Sequence, residues 1–212
     1  RSPAGTVTNS ASFRTPNDGG VATQMLGAAQ ARWFVDALAA SRARWKIIAC
    51  DQPLGVVVPD GPIQEGFANG DPRTLGREHE VAALLTAIKR RRVRNVIFVT
   101  ADVHYAAAHH YDPSRAAFTA FDPFWEFVAG PLNAGTFGPS VLDKTFGPEV
   151  KFVGKERGEY RTDTKQLALV ADYTLADVPR PDILVMPGGF GTRELVDDRE
   201  VVDWVRDVHD HT

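Results

Sequence analysis

The stretch EHEVAALLTAIKRRRVRNVIFVTADVH, residues 78–104, predicts a helix, a strand and an acidic loop in that order. Apolar residues between Val81 and Ile88 recur at the three- and four-residue spacing of an amphipathic helix, which we place at about residues 77–91. The run NVIFVT has the composition of a strand and stops at Asp102. A helix that leads into a strand ending in an acid indicates a layered α/β fold.

The same order occurs earlier in the chain. Apolar residues from Leu26 to Leu38 repeat at helical spacing, and the predicted strand WKIIAC follows and stops at Asp51. Ligands gather at the carboxyl ends of strands in layered α/β folds, so two acids at such ends indicate a binding site. Residues 52–76, rich in Gly and Pro around a short VVV, are predicted to be a long functional or mobile loop.

Asp102 and His104 form the candidate site. Side chains alternate along a strand, so two residues at this spacing lie near one face. A carboxylate and an imidazole both bind metal ions, and a metal ion activates water for phosphate-ester hydrolysis. The alternative is a strand-end capping pair without a ligand, and Asp51 favours the metal site. His109 and His110 face opposite sides if the chain continues as a strand, so at most one faces the site.

Composition excludes several classes of protein. The chain has 212 residues and a net charge of −3, so no general attraction to nucleic acid or anionic membrane is expected. The basic run from Lys89 to Arg94 suits the end of a helix. No apolar segment approaches the ~18 residues of a membrane span, and no signal peptide is evident. The single cysteine, Cys50, is predicted to be a small core residue.

The sequence pattern changes near residue 150. Before that point AAFTAF and FWEFVAG are strand-like and precede a Gly-rich loop; after it EVKFVG, LALVA and DILVMPGG are predicted strands. The last segment is helical, with Asp197 or Asp198 as its cap. We therefore place a boundary at about 147–154. The predicted organisation is a loop or frayed terminus at 1–20 followed by domains at 21–150 and 151–212.

Three ordered motifs resemble the carboxyl-terminal half of PhoD-type alkaline phosphatases, in the metallophosphoesterase superfamily. They are MLGAAQARWFVDALAASRARWKIIACDQPLG, LGREHEVAALLTAIKRRRVRNVIFVTADVHYAAAHHYDP and PFWEFVAGPLNAGTFGP. The resemblance covers roughly residues 18–150. It implies a partial four-layer α/β sandwich, a location outside the cytoplasm, and hydrolysis of phosphate mono- or diesters by metal-activated hydroxide.

The resemblance also implies a ligand set. TADVH matches the family's metal motif, which makes Asp102 and His104 catalytic and metal-binding candidates, and ACDQP makes Asp51 a third ligand. His109, His110 and Asn133 are possible residues of a second shell. Iron and calcium are the implied metals. The family's amino-terminal half, which carries its first ligands, has no counterpart here, so weak metal binding and a missing complementary segment are expected.

Residues 160–212 resemble the amino-terminal portion of PfpI-type proteins, among which isonitrile hydratases are the nearest members. The resemblance implies a partial flavodoxin-like segment, with Gly188 and Gly189 in the turn beside the family's active site. The family's cysteine nucleophile has no counterpart, since no cysteine follows Cys50.

Three functions follow from these patterns. The first is a PhoD-like phosphoesterase, impaired or inactive as an isolated chain. The second is a non-catalytic fusion or truncation fragment, and the third is a PfpI-type hydratase or amidase relative that lacks its nucleophile.

Overall fold

The computed structural model divides the chain into two compact units, Arg1–Glu149 and Val150–Thr212, called unit 1 and unit 2 below. No helix among the described residues is long and apolar enough to cross a membrane. The structure describes residues 6–7, 14–104, 106–130, 141–150, 153–161, 168–178, 181, 184 and 195–210.

Unit 1 alternates helices with strands, as expected for an α/β fold. Its described elements, in chain order, are β1 (Thr6–Val7), α1 (Ala28–Ala40), β2 (Lys46–Ala49), β3 (Val56–Val57), β4 (Pro59–Asp60), β5 (Ile63–Gln64), α2 (Glu78–Arg90), β6 (Val96–Thr100), β7 (Ala107–Tyr111), β8 (Phe124–Val128), β9 (Val141–Leu142) and β10 (Pro148–Val150).

Six of these strands form one mixed sheet in the order β1-β2-β6-β8-β7-β10. Strands β1, β2, β6 and β8 are parallel to one another, and β7 is antiparallel to β8. The carboxyl ends of β2 and β6 therefore lie at the same edge of the sheet. The predicted α/β fold class is confirmed, and this edge is where the candidate site lies.

The two faces of the sheet differ in exposure. Ile48 is 1% exposed, whereas its neighbour Ile47 is 56% exposed. The buried face packs with α1 and α2 in one core that includes Ile48, Phe98, Phe124, Phe34, Leu38, Val81 and Leu85. On the other face Ile47 and Val99 are exposed, and Trp125 and Phe127 are partly buried. Side chains alternate between the two faces of the sheet, so the helices cover one face and the other is apolar and partly exposed to solvent.

Both helices have identifiable boundaries. Helix α2 carries Glu78 and Glu80 in its first turn and Lys89 and Arg90 in its last, which suits the helix dipole. Its bounds lie within one residue of the prediction. Helix α1 begins after Gly27, whose φ of 79° favours glycine.

Two predicted features of unit 1 differ from the structure. Residues 116–121, AAFTAF, form no strand; Phe118 N donates instead to Thr145 O at 2.8 Å. The alternation there reflects Phe121 and neighbouring aromatic rings packing into the core. Trp33, which the helical pattern groups with the apolar face of α1, is about half exposed.

The glycine-rich excursion of residues 52–76 has defined structure. It contains β3, β4 and β5, and it buries Leu54, Val56 and Phe67. The buried Arg77 guanidinium donates to the carbonyl oxygens of Thr15, Glu65 and Gly66, which ties the excursion to the start of α2.

The described part of unit 2 contains β11 (Val153–Gly154), β12 (Gly158–Arg161), β13 (Ala168–Ala171), β14 (Tyr173–Thr174) and a helix, here α3 (Arg199–Asp210). Strands β11 and β14 pair in parallel, and β12 and β13 are antiparallel. Asp198 caps α3, since its Oδ1 accepts from Glu200 N at 3.1 Å and from Val201 N at 3.4 Å. The turn with Gly188 and Gly189 lies outside the described residues, and the flavodoxin-like assignment stays a prediction.

Candidate metal centre

Asp102 and His104 lie in the loop directly after β6, in left-handed backbone conformations. Their φ angles are 76° and 59°, which non-glycine residues adopt infrequently and which recur at functional sites. Val103 anchors the loop between them. Its N–H donates to Ala101 O at 3.0 Å, and its side chain is buried against Val56 and Val128. The two side chains flank an anchored residue at the carboxyl edge of the sheet.

Asp51 follows β2 and reaches the same edge. Cys50 N donates to Val99 O at 3.0 Å, which continues the pairing with β6 to the residue before Asp51. The Cys50 Sγ and Asp51 Oδ1 atoms are 3.7 Å apart. Asp51 is exposed and Cys50 is partly buried at the margin of the core.

The electrostatic environment of Asp102 links these residues. Burial is the largest cause of a raised pKa of the Asp102 carboxyl, and the neighbouring carboxylates of Glu65 and Asp51 raise it further. A hydrogen bond from the Gln52 side chain and the nearby His104 imidazole act in the opposite direction. Asp102 therefore lies among carboxylates whose repulsion a bound cation would relieve.

Gln52 adds an oxygen donor beside Asp102. The residue is 5% exposed, and its Oε1 atom is buried without a hydrogen-bond partner. A buried amide oxygen left unsatisfied costs free energy, on the order of 1–3 kcal/mol, unless water or an ion pairs with it. Carboxylate and amide oxygens with one imidazole are donors that suit hard and borderline cations.

The donors fit a metal in kind but converge incompletely. Within the described part of the chain, no three side chains of His, Cys, Asp or Glu come close enough together to hold a metal ion. Asp51, Glu65 and His104 act on Asp102 electrostatically. These side chains lie near one edge of the sheet but do not form a complete coordination shell.

The two adjacent histidines lie on opposite faces of β7, as strand alternation predicts. His109 is fully buried, with Nδ1 3.0 Å from Glu126 Oε2. His110 is partly buried, and its ring centroid lies 4.6 Å from that of Trp125. Asn133 lies outside the described residues.

Sequence reasoning missed three residues around the site: Gln52, Glu65 and Glu126. Glu126 had a visible signal, because FWEFV places one acid on the buried face of an apolar strand. Gln52 and Glu65 lie in the long excursion, where no periodicity indicates which side chains return to the sheet edge.

A family model described as PhoD-like phosphatase matches residues 3–173. The chain belongs to the PhoD-like phosphatase family. No match is found among curated proteins. The solved structure of PhoD is similar to this chain with 20% identity and a TM-score of 0.41, over 58% of this chain and 26% of that one. The chain thus spans about a quarter of the length of the solved structure that it matches.

Proposed function

We propose that this chain is a metal-dependent phosphoesterase that hydrolyses phosphate mono- or diesters at the edge formed by the ends of β2 and β6. The PhoD-like family match over residues 3–173 carries the proposal. Burial first, and then the carboxylates of Glu65 and Asp51, raise the pKa of Asp102, and this perturbed acid at the edge of the sheet supports the placement.

Asp51, Asp102 and His104 would hold the metal, iron or calcium by resemblance, and a bound metal would polarise the phosphoryl oxygens and lower the pKa of water. Within the chain, Gln52 orients the Asp102 carboxylate through its side-chain hydrogen bond. Val103 holds the loop against Val56 and Val128, which limits motion of the flanking ligands. We also propose that His109, His110 and Asn133 support the metal ligands without binding the metal themselves. By resemblance to PhoD, we also propose that the protein acts outside the cytoplasm.

The first test is turnover of an aryl phosphate ester by the purified chain supplied with iron and calcium. Asp102→Ala should lower turnover by about 100-fold or more, because the metal's contribution to transition-state stabilisation amounts to several kcal/mol. Asp36→Ala is the matched control, since Asp36 is an exposed acid on α1. Equal turnover in wild type and Asp102→Ala would exclude this mechanism.

A non-catalytic fragment is the second candidate. It is favoured by the incomplete convergence of donors among the described residues. On this proposal the chain binds metal weakly or binds a complementary segment, and it hydrolyses no phosphate ester. Robust metal-dependent turnover by the isolated chain would contradict it.

We also propose that residues 160–212 are a PfpI-like segment, on sequence resemblance alone. Residues 160–173 fall within both this resemblance and the PhoD-like match. Hydratase or amidase activity is the weakest candidate, because the single thiol, Cys50, lies in unit 1. Activity that survives Cys50→Ser would show that this thiol is not the nucleophile.

A further inference from the structure

Glu126, at the centre of β8, is a fully buried carboxylate with four hydrogen-bond donors. Its Oε1 accepts from Leu54 N at 2.7 Å and Thr100 Oγ1 at 3.1 Å. Its Oε2 accepts from Tyr111 OH at 2.5 Å and lies 3.0 Å from His109 Nδ1. Two carboxylate oxygens offer about four lone-pair sites, so Glu126 has none left for a metal ion.

The two donors to Oε1 belong to the segments that carry the candidate ligands. Leu54 lies three residues after Asp51, and Thr100 lies two residues before Asp102. Both donor residues are almost fully buried. One carboxylate oxygen therefore joins the chain leaving β2 to the last residue of β6.

The donors to Oε2 fix Glu126 itself. His109 and Tyr111 come from the neighbouring strand β7, and the Tyr111 ring stacks on Phe124 at a centroid distance of 4.4 Å. Both carboxylate oxygens of Glu126 are hydrogen-bonded, so the side chain cannot change conformation to follow a shift of either segment.

Gly55 lets the chain after Leu54 run this close to the network. A Cβ placed on Gly55 would lie 2.5 Å from Tyr111 OH and 2.8 Å from Pro148 Cγ. No larger residue fits without displacing the tyrosine that holds Glu126. The approach of this segment to β8 is thus set by its own sequence as well as by the hydrogen bond to Leu54.

We propose that Glu126 is a positioning residue that fixes the segments carrying Asp51 and Asp102 relative to each other at the carboxyl edge of the sheet. The inference rests on the proposed function and deepens it. A buried charge is costly unless it is well paired, and an apolar residue would fill the same space at lower cost. A role in fixing two ligand-bearing segments explains why a carboxylate with all its acceptor sites occupied lies at position 126.

The test compares three variants of the full chain with Mn²⁺ as the probe. Glu126→Ala removes all four bonds. Glu126→Gln keeps an oxygen for Leu54 and Thr100, while its amide can donate to His109 in the other tautomer. Glu78→Ala is the matched control, because Glu78 is equally buried and also accepts backbone N–H bonds, from Asn69 at 2.6 Å and from Leu75.

Mn²⁺ affinity is measured by calorimetric titration at a temperature where every variant is folded. Glu126→Ala should weaken Mn²⁺ binding by about 10- to 100-fold, the usual cost of losing an outer-sphere partner. Glu126→Gln should recover most of that affinity, and Glu78→Ala should keep it. Equal loss in Glu126→Ala and Glu78→Ala, or no recovery in Glu126→Gln, would overturn the positioning role. If Glu126→Ala does not fold, Thr100→Val takes its place and should weaken binding more than Tyr111→Phe does.

Amide hydrogen exchange of the metal-free chain separates this inference from the proposed function. The Leu54 amide should exchange faster in Glu126→Ala than in wild type or Glu78→Ala, whether or not metal binds. Absence of Mn²⁺ binding in wild type with fast Leu54 exchange in Glu126→Ala would refute the metal site alone. Unchanged Leu54 exchange would refute the positioning role.

Discussion

Two buried acids in unit 1 lie in different electrostatic environments. Glu126 is surrounded by donors, whereas Glu78 lies against a second carboxylate, that of Asp143. Burial first, and then the charge of Asp143, raise the pKa of Glu78 from 4.5 to about 7. The Thr145 hydroxyl donates a hydrogen bond to Glu78, with 3.2 Å between Thr145 Oγ1 and Glu78 Oε2. Glu78 therefore titrates near neutral pH, well above the usual range of a glutamate carboxyl group.

The Glu78 pKa predicts a fall in stability as pH rises. The folded chain binds the Glu78 proton more tightly than the unfolded chain, so the contribution is complete below about pH 4.5 and is lost as pH passes about 7. Its full size is about 3 kcal/mol at 1.36 kcal/mol per pKa unit. Asp143→Asn should flatten the dependence between pH 5 and 8 and raise stability at pH 8. Urea unfolding across this range measures the slope.

Asp36→Asn is the control for that experiment, because it removes an exposed acid far from the pair in sequence. It should leave the pH slope unchanged. A slope in Asp143→Asn equal to that of wild type would show that the two carboxyl groups do not repel each other in the folded chain.

At the residue scale, the sequence indicated the ligand types and part of their placement. Asp102 and Asp51 could be assigned to one edge because each follows a strand whose parallel partner is recognisable from helix–strand order. The Glu126–Leu54 contact and the Glu78–Asp143 pair could not be assigned, because the two residues of each pair are 72 and 65 positions apart in sequence. Long-range polar pairing leaves no local pattern.

At the element scale, the start of α1 depends on a residue of α2. Gly27 has no side chain with which to cap the helix. Instead the Glu80 carboxylate accepts N–H groups of Met25 at 2.9 Å, Leu26 at 3.0 Å and Gly27 at 3.0 Å. An acid beside a helix amino terminus also suits the helix dipole. The two helices are thus joined by a cap as well as by apolar contact.

Glu80→Gln should lower the free energy of unfolding by about 1–3 kcal/mol, because one oxygen that accepts charge-assisted bonds becomes an amide donor facing N–H groups. Asp36→Asn changes charge equally but loses only a surface ion pair with Arg91, worth about 0–1 kcal/mol. Chemical denaturation of the two variants gives the comparison. Equal losses would mean that the Glu80 contacts add nothing beyond surface charge.

Periodicity predicted elements well where burial is one-sided. The second helix and the strands after each helix have one face in the core, so their patterns give their positions. The same logic failed for residues 116–121, where aromatic residues alternate because a loop inserts Phe121 into the core. Apolar alternation records burial and does not require a hydrogen-bonded strand.

At the scale of the whole molecule, the family match and the compact units do not end at the same residue. The PhoD-like match runs to residue 173, whereas unit 1 ends at Glu149. The main sheet lies in unit 1 and keeps a partly open apolar face, with Ile47 56% exposed. The chain spans 26% of the solved PhoD structure that it matches.

Metal-linked thermal stability tests the central claim most directly. The melting temperature of the full chain is compared with added Mn²⁺ and with excess chelator, for wild type and Asp102→Asn. At a metal concentration about five-fold above Kd, binding adds about 1 kcal/mol, or about 2–4 °C for a chain of this size. We predict this rise in wild type and its loss in Asp102→Asn. Identical melting temperatures of wild type in Mn²⁺ and in chelator would contradict a metal centre at Asp51, Asp102 and His104.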